Sequence, residues 1–295
     1  MARRHPILRG LAIVVGAGLG LLVLGLGIAA LRGGVGALTF GNRVAILELH
    51  GVIQDSADAV EALEGFRKES STVAVVVRVD SPGGAVAPSQ EIYDAIWRLR
   101  EEKPVVASLG NVAASGGYYV ASAANIVFAD PGTITGSIGA IMEVPYYRPL
   151  AEKVGVWEEV VKSGLYKDTG NPLRPMTPEE RALLQAMVDD VLSQFVGAVA
   201  RGRGMDPEEV RKLADGRVYS GAQARAAGLV DELGGLVEAT RRAWEEAKQT
   251  GEPQVSRVRM RRRPWWFDVL GRVLAPEPGG VSGGLLFLYP GPGVE

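Results

Sequence analysis

The sequence predicts an α/β domain with a mostly parallel sheet and a helical C-terminal part, preceded by one N-terminal transmembrane helix. Three observations predict this architecture. Short apolar strands alternate with amphipathic helices over the first half of the chain, which is typical of a parallel sheet. Proline-led caps start long helices in the second half. An uncharged apolar run near the N-terminus has the length that a bilayer requires.

The N-terminal segment is predicted to anchor the protein in a membrane. Residues 10–31 are a run of 22 residues without a charge, which as a helix spans roughly 30 Å, about one hydrocarbon core. Three arginines lie in residues 1–9, and one opens the linker at 32–42. The positive-inside rule therefore places the N-terminus in the cytoplasm and the rest of the chain outside. A cleaved signal peptide is the alternative, although its apolar core is usually only about 7–15 residues long.

Hydrophobic periodicity and chain breakers place the elements of one domain over residues 43–250. The second strand contains five valines and is predicted to be buried on both faces. A break is expected after it, at Asp80-Ser81-Pro82-Gly83-Gly84. The predicted strands are 44–49, 72–79, 105–109 and 126–129. The predicted helices are 57–68, 89–101, 116–124, 178–200, one starting at 207, 221–227 and 236–248.

Composition excludes several kinds of chemistry. The formal net charge is −2, which gives no reason to expect nucleic acid as a partner. Cysteine is absent, so a cysteine nucleophile, a Cys-ligated metal and disulfides are excluded. Only His5 and His50 are present. A histidine-rich metal site cannot be built, and a Ser-His-Asp triad could use only His50. We predict neither a cofactor nor a metal.

The segment 251–295 differs from the rest of the chain. Five arginines lie between 257 and 263, followed by the aromatic residues 265–267 and by apolar residues at helical spacing. One interpretation is a disordered basic tail, or a helix that caps a neighbouring subunit. The other is an interfacial helix that contacts membrane lipid through its arginines and tryptophans.

Three glycine-bearing segments, at 81–84, 113–119 and 135–139, are candidates for a site. Sites in open parallel sheets form at the carboxyl ends of strands, and two of these segments follow strands directly. Ser115 has small neighbours that permit a sharp turn, and the N–H groups of the next helix favour a developing oxyanion there. A tight turn without chemistry is the alternative. A serine nucleophile also needs a base. Lys167 is a candidate, provided that burial lowers its pKa. The alternative is that Lys167 is an ordinary solvated lysine.

Taken together and in order, six segments resemble the S49 family of serine proteases, which includes signal peptide peptidase A and is related in fold to Clp protease and crotonase. The resemblance covers roughly residues 43–250 and is specific only because the motifs occur jointly. The matching segments are 81–84, 114–119, 135–139, 162–168, 215–219 and 228–231.

The resemblance implies a role for each of five residues. Ser115 corresponds to the nucleophile, and Lys167, which lies 52 positions later, to the general base of a Ser–Lys dyad. Ser137 corresponds to the hydroxyl that orients the lysine. The backbone N–H groups of Gly84 and Gly116 correspond to the oxyanion hole.

Two further residues bear on this assignment. Lys162 is a competing base, but the dyad lysine of the family sits just before a position like Asp168. His50 has no counterpart among the family's functional residues and is expected to be structural or exposed.

The resemblance also implies substrates and partners. It implies degradation of signal peptides left in the cytoplasmic membrane, and of other unfolded or hydrophobic peptides, by a homo-oligomeric ring, an octamer whose dyads form between neighbouring subunits. A stomatin-associated membrane Ser–Lys protease is one alternative. A catalytically inactive crotonase-like scaffold and a crotonase-type acyl-CoA enzyme are the others.

Overall fold

The computed structural model describes residues 41–259 and 286–288, and the compact α/β unit begins at Asn42. The predicted anchor at residues 10–31 lies outside the described residues, as does most of the linker and of the segment 251–295. The strands are β1 (Arg43–His50), β2 (Thr72–Ser81), β3 (Gly83–Ala85), β4 (Val105–Ala114), β5 (Ile126–Ala129), β6 (Ile134–Gly136), β7 (Val218–Ser220), β8 (Glu232–Leu233), β9 (Val255–Arg259) and β10 (Leu286–Leu288). The helices are α1 (Ala57–Lys68), α2 (Val86–Arg100), α3 (Gly116–Ala121), α4 (Arg148–Lys153), α5 (Pro178–Arg203), α6 (Pro207–Leu213), α7 (Gly221–Ala226) and α8 (Leu236–Glu246).

One sheet organises the described part of the chain. Its strand order is β7-β6-β4-β2-β1-β9, with β5 also paired to β4 and β8 paired to β5. Every pairing in this sheet is parallel except β6 with β7. The long strand β4 forks, because Val106–Ser108 pair with β5 whereas Val112–Ala114 pair with β6. The predicted α/β architecture with a mostly parallel sheet is confirmed.

Apolar side chains cover both faces of the central strands. In β2, Val75, Val77 and Val79 lie in the larger core, while Ala74 and Val76 lie in the smaller core on the opposite face. Helices α1, α2, α3 and α5 contribute to the larger core, and α8 covers the other face. Burial on both faces explains why the sequence of β2 is rich in valine and shows little alternation of apolar and polar residues.

Two strands continue past the ends that the sequence predicted. The break expected from Asp80 onward is wrong by two residues, because Asp80 pairs with His50 and Ser81 pairs with Ala113 before the chain turns at Pro82. Strand β4 extends to Ala114, five residues beyond its predicted end, because β6 pairs with its last three residues. Both extensions bring the ordered sheet up to the candidate site.

Within the segment 251–295, residues 255–259 form strand β9. This strand pairs in parallel with β1 and so extends the sheet beyond residue 250. The interpretation as a basic tail or interfacial helix is therefore wrong for residues 255–259. A guanidinium nitrogen of Arg257 lies 3.8 Å from a carboxylate oxygen of Glu48 on β1. Charged side chains on an edge strand are a common way of preventing further strand addition.

Helix α5 connects the exposed part of the domain to the core. It starts at a capping box in which Glu180 N donates to Thr177 Oγ1, and it ends at Gly204 with φ 63°. Its second half is buried through Phe195, Val196 and Val199. By length and composition alone α5 could also cross a bilayer, a test that core helices pass as well.

Two glycines of α5 should respond to alanine with opposite signs. A Cβ at Gly202 would lie 2.1 Å from the carbonyl oxygen of Ser122, at the end of α3, whereas a Cβ at Gly197 meets nothing within 4 Å. We expect Gly202→Ala to lower the free energy of unfolding by about 1–3 kcal/mol through overpacking. Gly197→Ala should raise it by about 0.5–1 kcal/mol, because alanine loses less entropy in a helix. Urea unfolding measures both, and equal effects would contradict this contact between α5 and α3.

Candidate active site

The ends of β2, β4 and β6 meet at one edge of the sheet. Ser81 pairs with Ala113, and Ala114 pairs with Gly136, so the three predicted glycine-bearing segments adjoin one another. The N–H of Ser115 donates to the carbonyl of Gly136 at 2.7 Å. This bond places the serine at the point where the three segments converge, at the carboxyl ends of parallel strands.

Ser115 has an unusual backbone conformation at the junction of β4 and α3. Its φ is 53° and its ψ is −119°, and its relative exposure is 1%. Residues other than glycine rarely adopt such angles, which cost of the order of 1–3 kcal/mol and persist only where the surroundings impose them. The surroundings do so here, since the N–H is bound by Gly136 and the carbonyl accepts from the N–H of Tyr119 at 2.8 Å.

Strand β3 carries Gly84, which the sequence analysis assigned to the oxyanion hole. The N–H of Ile53 donates to the carbonyl of Gly83 at 2.9 Å, and the carbonyl of Ile53 accepts from the N–H of Ala85 at 2.8 Å. The N–H and carbonyl of Gly84 therefore face the opposite edge of β3. A Cβ at Gly84 would lie 2.0 Å from the carbonyl oxygen of Ile53. Only glycine therefore fits. The edge that Gly84 faces is paired with β10, antiparallel, with Phe287 opposite Gly84.

Ser137 lies beside Ser115 on the next strand end. It is nearly buried, has φ 50°, and donates its N–H to the carbonyl of Arg217 at 2.8 Å. Gly136, directly before it, has φ 78°, and a Cβ there would lie 2.5 Å from the ring of Tyr219. Two consecutive residues with positive φ thus turn the chain sharply where it passes Ser115.

Residues that the sequence reasoning missed fix the end of β4. Asp80 Oδ1 accepts from the N–H of Val112 at 3.1 Å. The hydroxyls of Thr133 and Thr135 donate to the carbonyls of Gly110 and Ala113, at 2.8 and 2.7 Å. The polar side chains inside these otherwise apolar strands were the available signal, because a buried hydroxyl needs a partner.

The only histidine in the described part of the chain lies on β1 and is engaged elsewhere. His50 Nε2 is 3.5 Å from Glu48 Oε2, and Nδ1 is 3.9 Å from Asp80 Oδ2. Both ring nitrogens therefore face carboxylates. Within residues 41–259, no group of three or more histidine or acidic side chains could hold a metal ion.

The two candidate lysines lie on an exposed stretch between β6 and α5, and they differ in their partners. Lys162 Nζ donates to Asp168 Oδ1 at 2.6 Å and to the carbonyl of Leu165 at 3.0 Å. Lys167 is exposed, its N–H closes a turn onto the carbonyl of Gly164, and its ammonium has no partner in the described residues. The structure thus brings Ser115 and Ser137 together, but it shows no contact between Lys167 and either serine.

Comparison with known proteins identifies the relatives of this site. Residues 98–250 match the family described as Peptidase family S49. A Synechocystis sp. protein named for an expected protease activity is 45% identical over 209 residues, which are 71% of this chain and 70% of that protein. The chain belongs to peptidase family S49.

Two other relatives of this S49 chain carry more specific names. An Enterococcus faecium protein named for an expected signal peptide peptidase activity is 34% identical over 223 residues, 71% of this chain and 65% of that protein. The chloroplastic serine protease SPPA of Arabidopsis thaliana is 36% identical over 204 residues, 69% of this chain and 30% of that protein. The matched part of the chain thus spans under a third of the plant protein.

Strain at the S49 site should appear as a preference for glycine at position 115. Glycine adopts positive φ without a Cβ penalty, so Ser115→Gly should have a free energy of unfolding about 1–2 kcal/mol above that of Ser115→Ala. Ser122, at φ −63°, is the control, because there alanine should be the more stable replacement by about 1 kcal/mol. Thermal or urea unfolding gives both differences. If alanine is the better replacement at position 115 as well, the backbone there is not strained.

Proposed function

We propose that the protein is a membrane-bound serine endopeptidase that uses a Ser115–Lys167 dyad to degrade signal peptides after their release from preproteins. The strained backbone of Ser115 is the observation that carries this proposal. Strain of this kind is kept where it presents a reacting group, and it holds the serine at the entrance to α3. An inactive scaffold of the same fold would gain nothing from it.

The proposed reaction passes through an acyl-enzyme. Lys167, in its neutral form, takes the proton of Ser115 Oγ as that oxygen bonds the substrate carbonyl carbon. The N–H groups of Gly84 and Gly116 stabilise the resulting oxyanion. The C–N bond then breaks, and the amine leaves with the proton from the lysine. The same lysine then deprotonates a water molecule that attacks the ester carbon; the bond to Ser115 Oγ breaks, and the lysine returns the proton to that oxygen. Ser137 orients the lysine throughout.

The partners of the two lysines support Lys167 as the base. A base must come within hydrogen-bond reach of the serine hydroxyl, and Lys162 Nζ is already engaged by the carboxylate of Asp168 at 2.6 Å and by the carbonyl of Leu165. Lys167 has no such restraint in the described residues, although it is exposed in the single chain. A lysine works as a base only when it is desolvated. We therefore infer that a neighbouring copy buries Lys167 and supplies the Ser115 that it serves.

The exposed apolar surface of the lysine-bearing stretch supports assembly into a ring, which we propose to be an octamer. Trp157 and Val161 are 85% and 94% exposed, and Tyr147, Leu150 and Leu165 are also largely exposed. Apolar side chains concentrated in this way mark surfaces that bind another protein.

An extended peptide is the substrate form that we propose for this site. The edge of β3 that Gly84 faces pairs antiparallel with β10, so it can bind a strand through main-chain hydrogen bonds, and a substrate on this edge would take the place of β10 beside Gly84. Such binding tolerates many side chains, as degradation of varied signal peptides requires. The N-terminal apolar run at residues 10–31 supports a single-pass anchor in the cytoplasmic membrane, with the protease domain outside.

Activity on a quenched apolar peptide, measured with the full-length protein in lipid, tests the dyad. We expect Ser115→Ala and Lys167→Ala each to reduce kcat at least about a thousandfold, and the double variant to be no worse, because the two groups act as a unit. Lys68→Ala, at an exposed lysine of α1, is the matched control and should keep wild-type activity. An active Lys167→Ala combined with an inactive Lys162→Ala would assign the base to Lys162.

A further inference from the structure

A network of ion pairs surrounds the residue that follows Lys167. The carboxylate of Asp168 is 11% exposed; its Oδ1 accepts from Lys162 and its Oδ2 accepts from Arg174 Nε at 2.8 Å. An NH2 hydrogen of Arg174 also reaches the main-chain carbonyl of Asp168, at 3.1 Å. Arg174 therefore fixes both the side chain and the backbone of the residue next to the proposed base.

The other side of the Arg174 guanidinium binds Glu180, in the first turn of α5. Arg174 Nη1 donates to Glu180 Oε2 at 2.8 Å, and Arg174 Nη2 donates to Glu180 Oε1. Glu180 is 4% exposed and already accepts from the N–H of Thr177 at 2.9 Å, as part of the capping box. Two carboxylates on separate segments are thus joined by one planar cation.

Helix α5 extends this connection to the nucleophile within the same chain. The ring of Phe195 lies 4.9 Å, centroid to centroid, from the ring of Tyr119, on α3, the helix that begins directly after Ser115. Gly202 packs against the carbonyl of Ser122 at the other end of α3. The helix that Glu180 starts is therefore packed rigidly against the element that follows the serine.

We propose that Arg174 is a positioning residue, which clamps the Lys167 turn to the start of α5 so that the lysine approaches the serine of the neighbouring copy from a rigid support. The proposal rests on the proposed function, since it takes Lys167 as the base. Arginine suits this task because the N–H groups of its planar fork bind two carboxylates in a fixed geometry, whereas the three donors of a lysine share one freely rotating nitrogen. The clamp leaves the Lys167 ammonium itself free of the network.

The network stays ionised wherever a neutral lysine could work. Hydrogen bonds from Arg174 and then from Lys162 hold the pKa of Asp168 well below its usual range, and Arg174 lowers the pKa of Glu180 to about 2. A lowered carboxylate pKa means that the pairing is intact above the ordinary value near 4.5 and is lost only as the pH falls towards 2. Loss of activity near neutral pH therefore reports the base and not the clamp.

Variants at Arg174 test the proposal by steady-state kinetics on the full-length protein in lipid. We expect Arg174→Gln to lower kcat about 10- to 100-fold with KM changed less than about twofold, because the base is misplaced while substrate binding is intact. Arg174→Lys should fall between Gln and wild type. Arg242→Gln, which removes an arginine of α8 that lies 3.4 Å from Glu232 and 3.1 Å from Glu246, is the matched control and should leave kcat unchanged.

Two further readouts separate positioning from mere stabilisation. The acid limb of the pH–kcat profile of Arg174→Gln should move to higher pH, because the carboxylate of Asp168, the residue that follows the proposed base, then has one cationic partner fewer. Glu180→Gln, which retains the cap acceptor, should reproduce part of the loss, and the Arg174→Gln/Glu180→Gln double variant should be no worse than Arg174→Gln.

Each remaining outcome decides against one specific claim. If Lys167→Ala is inactive but Arg174→Gln has wild-type kcat and pH profile, the positioning role is wrong while the dyad stands. If Arg174→Gln loses activity only in proportion to a lower melting temperature, with an unmoved pH profile, Arg174 is merely structural. If Lys167→Ala is active, the proposed function itself fails.

Discussion

The structure depends above all on the backbone of Ser115, which is held at positive φ between β4 and α3. Its N–H and carbonyl are both bound, to Gly136 and Tyr119, so neither peptide unit can rotate towards a relaxed conformation. Glycines make the close packing possible: a Cβ at Gly117 would lie 2.7 Å from the carbonyl of Ser81. The parallel sheet supplies the energy that keeps this turn strained, through strands buried on both faces.

The proposed nucleophile and the proposed base are supported in different ways. Ser115 sits on the buried sheet and on α3, whereas Lys167 sits on an exposed stretch that is fastened through Arg174 to the first turn of α5. A dyad that forms between copies would need this arrangement, because an exposed arm can reach a neighbour while a buried turn cannot. In the proposed ring, assembly would then complete the site and switch on proteolysis at the same time.

The sequence predicted the central elements well, since their periodicity is strong. The helix at 57–68 and the strand at 126–129 have the predicted bounds, and the proline-led caps located α5 and α6. The short strands β3, β6, β7 and β8 were missed, because two or three residues carry no period. Strand β9 was missed because its arginines suggested a basic tail outside the domain, although an edge strand tolerates charged side chains.

The candidate site was only partly readable from sequence. The meeting of the segments around Ser81, Ser115 and Ser137 follows from parallel strands ending at one edge, a rule that needs no coordinates. The positive φ of Ser115 depends on tertiary hydrogen bonds, and the clamp on Arg174 joins residues whose pairing no local pattern specifies. Local sequence patterns do not predict constraints of this kind.

The most direct measurement of the central claim is the site of covalent labelling by a fluorophosphonate probe. The reagent phosphonylates only a serine whose hydroxyl is activated by a base, so its target identifies the nucleophile without reference to substrate. Peptide mapping by mass spectrometry of the labelled full-length protein should find one adduct, on Ser115, that no longer forms in Lys167→Ala. An adduct on Ser137, or one on Ser115 that forms equally fast without Lys167, would contradict the account.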